Sequence, residues 1–144
     1  MSLPVGSIRS SIFVDASALF ALTDRTDRFH DLAVRFIESN DQVLVTSNFV
    51  VHETVTLIRM RLGHKIAVEV GRKLFDLTVT SLIKVTTADE RKAWTIFQRY
   101  QDKRFSFVDC TSFALMQRLR IEAAFAFDDD FRRFSEWVVY PKID

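Results

Sequence analysis

At 144 residues, 48% of them apolar, the chain is long enough for one compact domain with a substantial core and too short for two. Twenty basic residues stand against nineteen acidic ones, so net charge argues neither for nor against a nucleic-acid partner, and any binding patch must be local. The single cysteine, Cys110, excludes an internal disulfide and every multi-cysteine zinc pattern, and it reads as a small packed residue.

No apolar run approaches the roughly 20 residues that cross a bilayer, and "MSLPVGSIRSS" lacks the apolar core of a secretory signal. The expectation is therefore a cytoplasmic protein without membrane contact. A single domain spans 1–144, with residues 1–10 as a flexible N-terminal segment. Three glycines, and two prolines that lie near the ends, leave little room for linkers or low-complexity stretches.

Along the chain, short β-branched or aromatic runs alternate with longer helical patterns. "SIFVD" (Ser11 to Asp15) reads as a buried strand and "ASALFALT" as the helix that follows it. A second helix runs from about Arg28 to Ser39 into the strand "QVLVTS". Thr46, Ser47 or Asn48 then caps a helix that ends near Leu62 at "GH". Another helix covers about Lys65 to Leu77. "SLIKVTT" is the next strand, and helices follow near Ala88 to Tyr100 and over "SFVDCTSFALMQRLR". "AAFAF" and "WVVY" are the closing strands. Strands separated by helices imply an α/β fold: a central, mainly parallel sheet of about five strands with helices on both faces.

Ligands of such sheets sit outside the carboxyl ends of the strands, which draws attention to the acidic residues found there. Asp15 follows "IFV", and Asp128 follows "AAFAF" with Asp129 and Asp130 behind it. On the third helix Glu53 shares a face with Phe49, Val50, Leu57 and Met60, while Val51, Val55, Ile58 and Leu62 form an opposite apolar stripe. That helix is therefore expected to be buried on both faces. Asp109 sits in the apolar run "SFVDCTSFA" with Phe113 and Met116 as helical neighbours.

Each carboxylate has a purely structural explanation. Asp15 and Asp109 can serve helix N-termini, Glu53 can pair with Arg59 or Arg104, and Asp128 to Asp130 can be a solvated turn. Their joint arrangement argues otherwise, because no comparable set of basic residues occupies equally buried positions. Carboxylates converging on one site repel, so a cation is the natural counter-charge, and all-oxygen ligands select Mg²⁺ or Mn²⁺ over zinc. His30, His52 and His64 form no ligand-like pair, and His52 projects about 100° from Glu53, toward another surface.

The ordered series "IFVDASAL", "TSNFVVHE", "SFVDCTSFA" and "FDDDF" resembles PIN-domain ribonucleases, and the compact length resembles their VapC toxin branch. The resemblance spans about Ser11 to Tyr140. It implies a three-layer, doubly wound α/β fold and metal-dependent cleavage of single-stranded or loop RNA. Position by position, the family's acidic quartet matches Asp15, Glu53, Asp109 and Asp128, with Asp130 as a further acidic ligand. Ser17 and Thr46 fall where the family carries supporting hydroxyls or amides. One departure is Ala126, where the family often has Thr or Ser, so a hydrogen bond that would orient Asp128 is expected to be missing.

On this resemblance one or two Mg²⁺ or Mn²⁺ ions would activate water and stabilise charge on the phosphate in flight. Lys103 and Arg104, then Arg132 and Arg133, with Arg59 and Arg61, offer phosphate contacts for the RNA. The resemblance also implies an antitoxin partner and a homodimer, for which Phe36 or Phe75 could be exposed. The remaining aromatics, Trp94 and Trp137 included, read mainly as core and interface. A phosphatase of the haloacid dehalogenase type would need a second aspartate where Ser17 stands. A receiver domain would need an aspartate at the end of "SLIKVTT". The remaining alternative is a non-catalytic PIN-like scaffold that binds RNA or protein.

Overall fold

The computed structural model of the chain describes residues 8–76 and 80–142. Of the segment expected to be flexible, residues 1–7 lie outside the described residues; Ile8 packs on the core, and its carbonyl accepts the Ser11 amide at 3.1 Å. Five strands form one sheet: β1 (Ile12–Val14), β2 (Leu44–Ser47), β3 (Ser81–Ile83), β4 (Ala123–Phe125) and β5 (Val138–Tyr140). Their order is β3-β2-β1-β4-β5, and every neighbouring pair is parallel. Phe13 is opposite Val45 on one side and Ala124 on the other.

Among the described residues the helices are α1 (Ala16–Thr23), α2 (His30–Ser39), α3 (Asn48–Leu62), α4 (His64–Phe75), α5 (Thr87–Arg99), α6 (Phe107–Leu119) and α7 (Asp130–Phe134). Leu77, the expected end of α4, lies outside the described residues. The sheet grows from β1 toward β3 and then, from β4, in the other direction. Right-handed crossovers therefore put α1 to α4 on one face and α5 to α7 on the other. The expected three-layer α/β architecture is present, with a sheet that is wholly parallel.

The central strands β1 and β4 are buried, with only Ala123 at the start of β4 partly exposed, as the continuous apolar runs "IFV" and "AAF" require when both faces are covered. On the α6 and α7 side an aromatic cluster fills the core. Phe113 stacks on Phe134 at 4.3 Å and meets Phe105 and Phe131 edge-on at 5.0 and 5.1 Å. Gly63 separates α3 from α4 at φ 98°, a conformation that costs a residue with a Cβ but not glycine.

Two expectations about exposure fail. Phe36 is half-buried rather than exposed: it packs against Phe125 at 4.5 Å and Tyr140 at 5.2 Å, because α2 lies over the β4–β5 side of the sheet. Nor is α3 buried on both faces. Val50, Val51, Thr54 and Ile58 face the core, whereas Met60 is 78% exposed, because among the described residues no element covers that side of the helix. Phe75 is exposed as expected.

Candidate active site

The direction of chain growth reverses between β1 and β4, and the crevice at their carboxyl ends is where parallel sheets of this kind bind ligands. Asp15 and Asp128 stand on its two sides. Asp15 is the N-cap of α1, so its structural and functional explanations coincide. Its Oδ2 accepts the Ser17 amide at 3.2 Å and the Ser17 hydroxyl at 2.6 Å. Ser17 Oγ also accepts the Phe127 amide at 3.1 Å, and the Asp15 amide donates to the Phe125 carbonyl at 3.0 Å. One hydroxyl thus ties the end of β1 to the loop that carries Asp128.

Asp109 enters from α6, where it forms a capping box with Ser106. The Ser106 amide donates to Asp109 Oδ2 at 3.0 Å, and the Asp109 amide donates to Ser106 Oγ at 3.0 Å. That box fixes the rotation of the carboxylate. Asp128 is oriented by the Asp130 amide, which donates to its Oδ1 at 3.2 Å. The hydrogen bond expected to be absent because of Ala126 is replaced by this local turn and by the Ser17 contact to Phe127. Ala126 itself is buried, its amide bonded to the Tyr140 carbonyl.

Ligand oxygens of Asp109, Asp128 and Asp130 lie within 4.8 Å of one another. Asp15 stands close enough to Asp128, and Asp109 to Asp130, for each to influence its neighbour's ionisation. Glu53, half-buried on α3, stands outside the ligand triad but feels the charge of Asp15. Asp129 turns away and pairs with Arg132 at 3.6 Å and Arg133 at 4.0 Å.

The electrostatics follow from burial without a counter-charge. Among the described residues no lysine or arginine pairs with Asp15, Glu53, Asp109, Asp128 or Asp130. The suggested Glu53 pairing with Arg59 or Arg104 is not formed. Arg59 contacts His64 instead, and Arg104 is exposed. Burial and then the charge of Asp15 push Asp109 up to about 7. Burial, with Asp15, Asp109 and Asp130 around it, pushes Asp128 up to about 8. Asp15 is raised by burial, and Glu53 by burial and Asp15. Such a set fits a hard divalent cation: it offers several oxygen donors, most of them already oriented by backbone amides, and lacks only positive charge.

Thr46 makes no contact with a carboxylate. Its buried hydroxyl donates to the Val14 carbonyl at 2.7 Å, fixing β2 against β1 just before Asp15. Lys103 is tied to Asp102 at 3.5 Å, so of the expected basic path Arg59, Arg61 and Arg104 are left without an ion pair among the described residues. Cys110, pushed up to about 11 by burial and by Asp109, is a packed thiol rather than a nucleophile.

The uncovered side of α3 opens into a groove of about 560 Å³. Phe49, Leu57, Met60 and Val108 form its apolar wall, and His52, Glu53, Thr56 and Arg61 complete it. His52 therefore shares a groove with Glu53 rather than facing elsewhere, because the groove is wider than the 100° between the two side chains. Reading the sequence missed this concavity: its wall was taken for core. Trp94 and Phe97, expected to be mostly core and interface, are 53% and 42% exposed beside Phe107.

The strand-end aspartates at a switch point and the buried, uncompensated acidic cluster form a donor set able to hold a cation, on the doubly wound sheet of a nuclease fold. The chain belongs to the PIN-domain family, whose family model matches residues 12–136, and within it to the VapC ribonucleases. The 23S rRNA-specific endonuclease VapC20 of Mycobacterium tuberculosis is 42% identical over 120 residues, 83% of this chain and 91% of that one. Ribonuclease VapC26 of the same organism is 30% identical over 124 residues, 86% of this chain and 90% of that one. The crystal structure of Mycobacterium tuberculosis VapC20, described as a sarcin–ricin loop cleaving toxin, superposes with a TM-score of 0.83 at 39% identity. It covers 88% of this chain and 96% of that one.

Proposed function

We propose that this ribonuclease is divalent-metal-dependent and cuts 23S rRNA in the sarcin–ricin loop. The observation that carries the metal requirement is the convergence of Asp15, Asp109, Asp128 and Asp130 without a protein cation. The RNA target is supported by the likeness to VapC20 over most of both chains.

Asp109, Asp128 and Asp130 would hold Mg²⁺ or Mn²⁺, with Asp15 beside them and Glu53 at the margin. When bound, the cation offsets the charge of the phosphodiester and acidifies the water that attacks it. The chain's own residues do the rest. Ser17 and the Ser106 capping box aim the Asp15 and Asp109 carboxylates before substrate arrives. Glu53, raised toward neutrality by burial and by Asp15, is poised to take up or release a proton at the edge of the cluster. Arg104, with Lys103, Arg132 and Arg133, supplies non-specific phosphate contacts whose affinity falls with salt.

As a toxin of this type the protein acts in the cytoplasm on ribosomal RNA, works as a homodimer and is held inactive by an antitoxin protein. Among the described residues no helix is long and apolar enough to cross a membrane. The non-catalytic scaffold is carried by no observation, since the acidic set is complete. The test is cleavage of purified ribosomes and of free 23S rRNA with Mg²⁺, with Mn²⁺ and with excess chelator, with cut sites mapped by primer extension. A single cut in the sarcin–ricin loop, lost in Asp15→Asn and in chelator, is expected. Metal-independent cutting, or wild-type rates in the variant, would refute the assignment.

A further inference from the structure

The groove on α3 adjoins the acidic cluster through two of its own residues. Glu53 lines the groove and feels the charge of Asp15 at the margin of the cluster, and Val108 directly precedes Asp109 in the chain. The groove therefore opens beside the aspartates that would hold a phosphate. The chemistry of its wall then selects which part of a nucleotide fits. Phe49, Leu57, Met60 and Val108 offer no donors to a phosphate, and the neighbouring carboxylates repel one. A flat, weakly hydrated base gains what the phosphate would lose.

The size agrees as well. About 560 Å³ lies within the roughly 300–1,000 Å³ of small-ligand pockets, enough for a nucleobase and its sugar. Met60, 78% exposed, is a flexible, polarisable side chain free to close over a ring. Arg61 has its guanidinium 5.3 Å above the Phe20 ring, which holds a positive charge near the groove for the next phosphate along the strand.

We propose that this groove is a nucleobase subsite: it takes the unpaired base flanking the scissile phosphate, stacked on Phe49 and enclosed by Leu57, Met60 and Val108. The inference rests on the ribonuclease reading and adds to it the feature that would require an extruded base. Loss of such a stacked, buried base should weaken binding about tenfold.

The test fills the groove from an exposed position. Thr56→Trp is compared with wild type on a synthetic RNA hairpin carrying the sarcin–ricin loop, and on the same hairpin made abasic on either side of the cut. Met60→Ala, a milder change at an exposed site, guards against misfolding of the first variant. The expected result is a KM raised about tenfold in Thr56→Trp, with kcat within about threefold, and a smaller rise in Met60→Ala. One abasic hairpin should be as poor for wild type as the intact hairpin is for Thr56→Trp, with no further loss when the two are combined.

Unchanged KM in both variants overturns the subsite while leaving the ribonuclease intact. A changed sedimentation coefficient with unchanged RNA affinity also overturns it, since the groove's occupant would then be a second copy of the chain. If wild type cleaves no RNA with either metal, the ribonuclease reading falls. The groove is then judged by binding alone, and equal retention of the hairpin by wild type and Thr56→Trp refutes it.

Discussion

Replacing Asp109 by Asn separates the cost of the acidic cluster from its use. The carboxyl is 8% exposed and is pushed from 3.8 up to about 7 by burial and by Asp15. Between these values the folded state holds a proton that the unfolded chain has released. Stability therefore falls as pH rises from about 4 and stops falling once Asp109 is ionised in both states, just above 7. At 1.36 kcal/mol for each pH unit, the full effect is on the order of 4 kcal/mol, of which roughly 2–3 kcal/mol develops between pH 5 and 8.5.

Asn keeps an oxygen that can accept the Ser106 amide, so the capping box survives while the charge goes. In chelator, the stability advantage of Asp109→Asn over wild type should grow by about 2–3 kcal/mol between pH 5 and pH 8.5, roughly 5–10 °C in Tm, and vanish only near pH 4. Divalent metal should narrow or close that gap, because Mg²⁺ at about 100 times its Kd stabilises wild type by about 2.7 kcal/mol and the variant by less. Urea titrations at the two pH values, with chelator and with Mg²⁺, read all four states. An Asn variant equally destabilised at both pH values and indifferent to metal would refute the reasoning, since Asp109 would then be only a helix cap.

Ser17→Ala removes the hydroxyl shared by Asp15 and Phe127; activity should fall about 10–100-fold and stability by about 1–2 kcal/mol, measured by cleavage rate and urea midpoint. Phe113→Ala, in the aromatic cluster behind the Asp128 to Asp130 loop, should cost about 3–5 kcal/mol in the same titration. Burial drives Asp89 up, but the hydrogen bonds from Arg118 at 2.8 and 2.9 Å and from Thr86 outweigh it and hold the carboxyl below its ordinary value. The stability it lends is present above pH 4 and lost as pH falls through the folded value. Arg118→Ala should remove about 1–2 kcal/mol at pH 7, since Arg118 is 39% exposed and screened, and less at pH 3.

The elements were legible in the sequence because each has a local cause. "IFV" and "AAF" are short, apolar and flanked by aspartates, and α3 opens behind Ser47 and closes at Gly63. The short helix α7 was not legible: its five residues, Asp130–Phe134, follow an acidic run that reads as a turn, and Phe131 and Phe134 are held by Phe113 from another helix. Periodicity along α3 correctly separated two apolar faces, but it could not tell a face covered by the core from one left open. That depends on what packs against the helix, and among the described residues nothing covers Met60.

The sequence by itself determined which residues carry charge into apolar surroundings, and so named Asp15, Glu53, Asp109, Asp128 and Asp130, because the cost of burying an unpaired carboxylate is a property of the residue and its neighbours in the chain. Tertiary structure alone decided which of them meet. The parallel order β3-β2-β1-β4-β5 brings residues more than a hundred positions apart to one crevice, where Ser17 spans it and Asp109, Asp128 and Asp130 share one site while Glu53 is left at its margin. The groove beside Glu53 is likewise a product of the packing, since a concavity exists only where neighbouring elements stop.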